Sequence, residues 1–459
     1  MSAGQENRYD LTQGNIINKL LLVALPIIGT QFIQMSYNLT DMFLLGRVGS
    51  DAVAASGTAG MYLWLSNGLL MIGRMGAEIG VSQNLGRRDL RAARKYAQNS
   101  MFLALILGLF LLVVYMAFSK SLIGFFNIRE IHVAHDARIY LMITAMAIPA
   151  TFLSGVVAGT FNASGNSRVP LLINACGLGL NIILDPVFIF ALGLGVKGAA
   201  IATLIAQMVV CLLSLLALIK RKDRPFDKFL FFSKPEKRRL IQILRWSIPI
   251  GAESMLFTFL TMFISRFVSA YGAEAIAVYR VGNQVESLSW LIGVGFSTAV
   301  TAFVGQNFGA GKWNRIRQGS RTSFLLLSGW GMLVTLVLFF LGGIIFRLFL
   351  PEEELVDMGR TFLKILAMCQ IISCLEAVSA GAFRGLGKTV PPFITSFTTN
   401  ALRIPLAYIL STHGMGLNGI WLSITIGASA RGLWLFFWYQ RELRRRPQKD
   451  IEPVPEQES

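Results

Sequence analysis

Charge is what this 459-residue sequence has least of: Asp, Glu, Lys and Arg make up 15% of it, against about 25% in soluble domains. Histidine is nearly missing, with three residues, and the four cysteines (Cys176, Cys211, Cys369 and Cys374) are scattered. That scarcity argues against a metal-rich centre and against a disulfide scaffold. The cysteines all fall in apolar segments, where a free thiol packs as a small hydrophobe. His132 and His135 fall in the connection after the third apolar segment and lack a third ligand nearby, so they read as solvated loop residues. No nucleophile–base pair stands out, and an enzyme is not expected. The first fifteen residues are polar, with Glu6, Arg8 and Asp10, and no separate cleavable signal is expected there.

What fills the space left by charge is apolar sequence, 54% of the chain, in runs such as Met101–Phe118 and Phe324–Phe349. A membrane-spanning helix needs about 20 such residues. Segments of that kind fall at 16–44, 52–75, 97–118, 138–160, 170–191, 199–219, 242–267, 277–302, 322–346, 361–383, 392–411 and 417–438. The predicted fold class is an all-α polytopic membrane protein with twelve transmembrane helices.

The charge that remains is lopsided, 42 Lys+Arg against 25 Asp+Glu, for a formal +17. In a soluble protein this would suggest nucleic acid. Here placement decides. Even-numbered connections hold Arg87, Arg88, Arg91, Arg94, Lys95 and Arg168, then nine Lys or Arg between Lys220 and Arg239, then Lys312, Arg315, Arg317, Arg384 and Lys388. Odd-numbered connections hold few, and the one after the ninth segment is acidic, with Glu352, Glu353, Glu354 and Asp357. Basic loops stay on the cytoplasmic side, so both termini are expected in the cytoplasm and the protein in the inner (plasma) membrane. Nucleic acid is not an expected partner.

Self-comparison shows a duplication. At an offset of 223, Pro26 falls on Pro249, Gly49 on Gly272, and Gln83-Asn84-Leu85-Gly86 on Gln306-Asn307-Phe308-Gly309. At 222, Gly159, Phe161, Gly165 and Pro170 fall on Gly381, Phe383, Gly387 and Pro392; at 221, Gly193, Gly195 and Gly198 fall on Gly414, Gly416 and Gly419. Six spans per half give parallel repeats, two lobes related by a pseudo-twofold axis along the membrane normal. The expected organisation is an amino-terminal lobe at 1–220, a basic cytoplasmic linker at 221–240, a carboxyl-terminal lobe at 241–440 and a polar cytoplasmic tail at 441–459. Two lobes that rock against each other suit a carrier better than a channel.

Charges that the bilayer should have excluded are the candidates for chemistry, since an Asp at a helix centre costs roughly 2.5–3.5 kcal/mol on insertion scales. Thr30, Gln34, Tyr37 and Asp41 form one stripe of the first helix, with Asn38 beside it; Asn181 and Asp185 share a face of the fifth. The repeat equivalents are apolar, Ile264 for Asp41 and Leu406 or Ala407 for Asp185. Two carboxylates in apolar surroundings resist being charged together and so hold a proton. With Asn181 and hydroxyls such as Thr203 supplying oxygens, the cluster also suits Na⁺. Asp185 precedes Pro186, a position that favours a helix break. Pro26 removes a hydrogen bond in the first helix and is either a hinge for the Asp41 stripe or a static kink. The second half has its own charges, Glu253, Arg266, Arg280, Glu286, Glu376, Arg403 and Arg431, among which Glu253 and Glu286 are expected to face a cationic substrate in a cleft.

Two motifs are discounted. Gly385-Leu-Gly-Lys-Thr389 imitates a phosphate-binding loop but has Ala382 where that loop needs glycine, so no nucleotide is expected. Gly155 and Gly159 form a GxxxG that reads as close helix packing.

Taken together, Leu25-Pro26, Tyr37-Asn38-Leu39-Thr40-Asp41 with Gly46 and Gly49, the repeated Gln-Asn-x-Gly, Gly159-Thr-Phe-Asn-Ala-Ser-Gly165 and Asn181-Ile-Ile-Leu-Asp185-Pro186 resemble the multidrug and toxic compound extrusion (MATE) transporters over residues 10–440. The carboxylate arrangement is most similar to the DinF-like and archaeal branch. The resemblance implies two six-helix lobes, no cofactor, and export of small organic cations or amphipathic drugs in exchange for H⁺ or Na⁺. It also implies a coupling site at Asp41, Asn181, Asp185 and Thr203, with Tyr37 and Tyr140 near it. A monomer in contact with membrane lipid is expected. The alternative is a lipid or lipid-linked precursor flippase, which would show arginines such as Arg266, Arg280 and Arg403 facing an anionic headgroup. A major-facilitator-type uptake carrier fits less well, because Gly86-Arg-Arg-Asp89 lacks that family's basic-loop pattern.

Overall fold

In hydrocarbon a chain must satisfy its backbone hydrogen bonds within its own segments, and the apolar runs are helices accordingly. The computed structural model describes residues 9–446 except 129, 222–223, 227–228, 230–233 and 351. Lys222 and Lys228 of the linker, and the tail from residue 447 on with Lys449, lie outside the described residues. The first half runs α1 (Ile16–Val48), α2 (Ser50–Gly86), α3 (Leu90–Gly124), α4 (Ile131–Ala145), α5 (Ile148–Ala163), α6 (Arg168–Pro186), a π turn (Val187–Ala191) and α7 (Gly195–Lys220). The second half repeats it as α8 (Lys237–Ser269), α9 (Ala273–Gly309), α10 (Trp313–Arg347), α11 (Glu353–Ala367), α12 (Gln370–Gly385), α13 (Val390–Leu410), a π turn (Ser411–Met415) and α14 (Gly416–Arg444).

The duplication is repeated in the helices themselves. α1 and α8 both have 33 residues, α2 and α9 have 37, and α3 and α10 have 35. Among the described residues, eight helices are long and apolar enough to cross a membrane, or ten with each bent pair taken as one span. Val390–Arg444 counts as one apolar stretch there but contains α13 and α14, separated where Gly414 and Gly416 take φ of 92° and 52°. α2 is long enough but diluted by Gly, Ser and Asn. The twelve expected spans are thus these helices.

Two expectations change in detail. The fourth span is two helices, α4 and α5, bent by 46°, and α11 with α12 repeats the bend at 46°. Pro149 in the first turn of α5 suits a helix start. Cys369 and Gln370 make the same bend without proline, so the bend belongs to the repeated packing and not to one residue. His132 and His135 consequently lie on α4 and not in a loop.

The described residues divide into two units, 22–251 with 9–10, and 252–446 with 11–21. The divisions fall inside α1 and α8, so each half's leading segment is packed in the other half's unit. In the second unit the Leu11 N–H donates to Gln306 Oε1 (2.9 Å), and the Leu11 carbonyl accepts from Asn307 Nδ2 (3.1 Å) and Arg315 Nε (3.2 Å). In the first unit the Glu236 N–H donates to Asn99 Oδ1 (2.8 Å). The Glu236 carboxylate pairs with Lys95 and Arg239, both at 2.6 Å, and these two cations hold it below the usual carboxylate range. The repeated Gln-Asn-x-Gly motif of the second half is therefore part of a docking surface for the amino-terminal segment.

Within the first unit α2 packs on α3, α4 and α5; within the second, α9 packs on α10, α11 and α12. A close approach involves Gly159, where an added Cβ would lie 2.9 Å from the Arg74 carbonyl oxygen of α2. At Gly155 it would meet only the Leu70 side chain, at 3.3 Å. Gly159→Ala is expected to cost about 1–3 kcal/mol by overpacking, read as a lower melting temperature of the purified protein. Gly155→Ala should cost less, because a leucine side chain can move where a backbone carbonyl cannot. Equal losses would contradict this packing.

Candidate functional site

Four helices of the first unit bring oxygen atoms to one buried place. α6 supplies Asn181 and Asp185, one turn apart and both with 0% exposure. Asn181 Nδ2 donates to Asp185 Oδ1 at 3.1 Å. The helix does not break after Asp185, as the pre-proline position suggested. Pro186 leads instead into the π turn, closed by the Leu192 N–H on the Val187 carbonyl at 2.9 Å.

α7 packs against that turn. An added Cβ at Gly198 would collide with the Phe188 carbonyl, so only glycine lets the start of α7 come so close. That approach carries Thr203 to α1, where its Oγ1 donates a long bond, 3.5 Å, to Asp41 Oδ2. The Asp41 carboxyl is also within interaction range of Asp185 and Asn181. Tyr37, one turn earlier on α1, and Tyr140 on α4 both sit against the two carboxyls and Thr203. Of the expected residues, Asp41, Asn181, Asp185, Thr203, Tyr37 and Tyr140 are thus together. Gln34 and Asn38 are exposed side chains outside the cluster. Thr30 Oγ1 donates to the Pro26 carbonyl at 2.9 Å, a back-bond one turn long that competes with the helix ladder beside the proline.

The cluster is short of donors. Asp41 Oδ1, Asp185 Oδ2, Asn181 Oδ1 and the Tyr37 hydroxyl are buried and have no hydrogen-bond partner. Three of these atoms accept only, and the fourth does either. A proton on one carboxyl, or one small cation among the oxygens, completes such a set. A multivalent-metal centre is a poorer fit, because no group of three His, Cys, Asp or Glu side chains exists among the described residues.

Two functional features escaped the sequence. About two turns beyond Asp41, past Val48, a cavity of about 290 Å³ is lined by Val48, Gly49, Asp51, Asp136, Gly193 and Gly195. Asp51 Oδ2 on its wall accepts from His132 Nε2 at 2.8 Å. Within α2, Arg74 Nε pairs with Glu78 Oε1 at 3.1 Å, with Glu78 only 2% exposed. The signal was an i, i+4 charge pair at the end of an Ala/Gly-rich segment whose span was closed at residue 75.

In the second unit Glu253 lies 3.6 Å from Arg384, and Glu376 lies 2.8 Å from Arg431. Glu286 and Arg403 are half-buried, and Arg266 and Arg280 are exposed.

The family model MatE matches the chain twice, over residues 26–187 and 249–409, one copy in each half. The probable multidrug resistance protein NorM of Thermotoga maritima is 27% identical over 415 residues, 89% of each chain. The multidrug export protein MepA of Staphylococcus aureus is 23% identical over 425 residues, 92% of this chain and 93% of that one. A solved structure described as an outward-facing conformation of a multidrug resistance MATE family transporter of the MOP superfamily shares the fold, with a TM-score of 0.89 at 22% identity over 96% of this chain and 99% of that one.

Two carboxyls this close repel when both are charged, and more so in the native fold than in the unfolded chain. Native stability is therefore expected to fall as pH rises through and above neutrality. Asp185→Asn removes the repulsion, so its melting temperature should exceed the parent's by an amount that grows with pH. A difference independent of pH would contradict the arrangement.

Proposed function

The chain belongs to the MatE family, a family of transporters and not of enzymes, and from that premise we propose that it exports cationic or amphipathic organic compounds across the plasma membrane in exchange for H⁺ or Na⁺. The observation that carries the reading is the buried set of orphaned oxygens on Asp41, Asp185, Asn181 and Tyr37. It is a site suited to one small cation inside a membrane-spanning unit.

In the proposed cycle a cation arriving from outside joins Asp41 and Asp185, with Asn181 and Thr203 completing the oxygen set and Tyr37 and Tyr140 closing it from solvent. The acidic wall formed by Asp51 and Asp136 attracts cations toward the end of α1 that leads there. Occupation removes the repulsion between the carboxyls and lets α1 shift about Pro26, where a backbone hydrogen bond is already missing. Substrate leaves, the lobes rock, and the cation is released to the cytoplasm, where both termini lie. One positive charge moving inward at 100 mV supplies about 2.3 kcal/mol. Gln34 and Asn38, exposed on α1, and the half-buried acids Glu253 and Glu286 are the proposed substrate contacts. The flippase alternative looks instead to Arg266, Arg280 and Arg403, of which the first two are exposed and the third is half-buried; the two acids of the first unit favour a cationic ligand over an anionic headgroup.

The test is export of a cationic dye by purified protein in liposomes under separately imposed H⁺ and Na⁺ gradients. One gradient is expected to drive efflux, and Asp41→Asn to slow the driven rate at least tenfold. Full-rate driven efflux by Asp41→Asn would overturn the reading.

A further inference from the structure

At one end of the second unit α10 begins and α14 ends, and the two helices are packed against each other there. The Arg446 guanidinium lies 5.4 Å from the Trp313 ring centroid, and Arg317 donates to the carbonyls of Leu443 (3.4 Å) and Arg446 (3.0 Å). Further in, the Ser320 and Tyr439 hydroxyls are 2.7 Å apart and the Phe324 and Phe436 rings 5.0 Å apart. The residue numbers rise along α10 as they fall along α14, so the pair is antiparallel.

Arg321 follows Ser320 by one residue, and Arg444 follows Leu443 by one. One residue is a rotation of about 100° about the helix axis. Between antiparallel helices that same advance turns both side chains to the same flank of the contact. Leu325 and Phe437 stand one residue past Phe324 and Phe436, so they share the flank, and they are 68% and 63% exposed. The apolar run of α14 closes with Trp438-Tyr439, level with Ser320, and such aromatic residues collect where membrane meets water. The flank is thus an apolar strip on two membrane-spanning helices that ends, at headgroup depth, in two arginines.

Both arginines are exposed, and among the described residues neither has an ion pair or a hydrogen bond. Glu442, the acid of that turn, is taken by Lys388 (2.9 Å) and Arg446 (2.8 Å). The carbonyls at the end of α14 are already served by Arg317. The repeated scaffold does not require the pair either. At the offset of 223, Arg317 stands on Arg94, but Arg321 stands on Gln98, which is 5% exposed.

We propose that Arg321 and Arg444 bind the phosphodiester of an anionic glycerophospholipid whose acyl chain lies along Leu325 and Phe437. A guanidinium presents two parallel N–H donors to phosphate oxygens. A lipid also brings an apolar part to the strip beside them, which a free phosphate does not. Charge then selects among lipids, because the phosphate of a choline lipid is already neutralised by its own ammonium and that of a glycerol headgroup is not. The site goes beyond the export reading and stands or falls without it.

The test is native mass spectrometry of the full-length purified protein in neutral detergent, offered equal amounts of phosphatidylglycerol and phosphatidylcholine with the same acyl chains. The parent is expected to retain phosphatidylglycerol at least tenfold over phosphatidylcholine, as two cations beside an anionic headgroup warrant. Arg321→Gln combined with Arg444→Gln should lower that ratio at least fivefold. Each single change should lower it at least twofold, so the singles decide if the double variant does not fold. Arg87→Gln combined with Arg91→Gln, which removes two exposed arginines between α2 and α3 of the first unit, should leave the ratio unchanged. Equal retention of the two lipids by the parent would overturn the proposal, as would a ratio in the Arg321 and Arg444 variants no lower than in this control. Displacement of phosphatidylglycerol by excess inorganic phosphate would show a bare anion site and overturn it too. So would a preference that emerges only when the tail acids Asp450, Glu452, Glu456 and Glu458 are changed to Asn or Gln, which would give the arginines to the tail.

Discussion

A carboxylate taken out of water without a partner costs several kcal/mol, and the first unit keeps two of them within reach of each other. Much around them reads as a response to that cost. Asn181 donates to Asp185 and Thr203 to Asp41, and the π turn after Pro186 lets α7 approach closely enough to bring Thr203 in. The donors nevertheless run out before the acceptors do, leaving four orphaned polar atoms. A fully satisfied network would be more stable and would have no affinity for a cation.

The duplication shows how such a site arises in a scaffold that has none by default. The halves agree in helix lengths, in the 46° bend and in the π turn. They differ where the charges are. Ile264, and Leu406 or Ala407, stand in the second unit where Asp41 and Asp185 stand in the first, and two of the second unit's own acids, Glu253 and Glu376, are paired with Arg384 and Arg431. The fold thus tolerates either an apolar plug or an ionisable cluster at equivalent places, because neighbouring glycines and turns set the backbone there. The exchange of leading segments, Leu11–Leu21 into one unit and the start of α8 into the other, makes α1 and α8 continuous with both.

Helix existence and repeat register were legible because period and composition report directly on lipid. Asp41 and Asp185 were legible because the bilayer makes any acid conspicuous. Tyr140 came only through family resemblance, and Thr203 stood out beforehand only as one hydroxyl among several, since a hydroxyl in an apolar helix is common and its partner lies on another helix. Gln34 and Asn38 were drawn in by their spacing on α1, yet a stripe four residues wide turns partly outward, and both are exposed. The bends at α4/α5 and α11/α12 were not legible, because the second has no proline to announce it. Arg74 and Glu78 were overlooked because their ion pair makes each look like the end of a span.

The central claim is that one cation and one substrate are exchanged through the Asp41–Asp185 cluster. Its most direct measurement is the affinity of purified protein for a cationic dye, titrated against pH at fixed Na⁺ and against Na⁺ at fixed pH. Raising one of these cations is predicted to weaken dye binding in the parent protein and to leave it unchanged in an Asp41→Asn, Asp185→Asn double variant. Dye affinity insensitive to both cations in the parent, or the same sensitivity retained in the double variant, would contradict it.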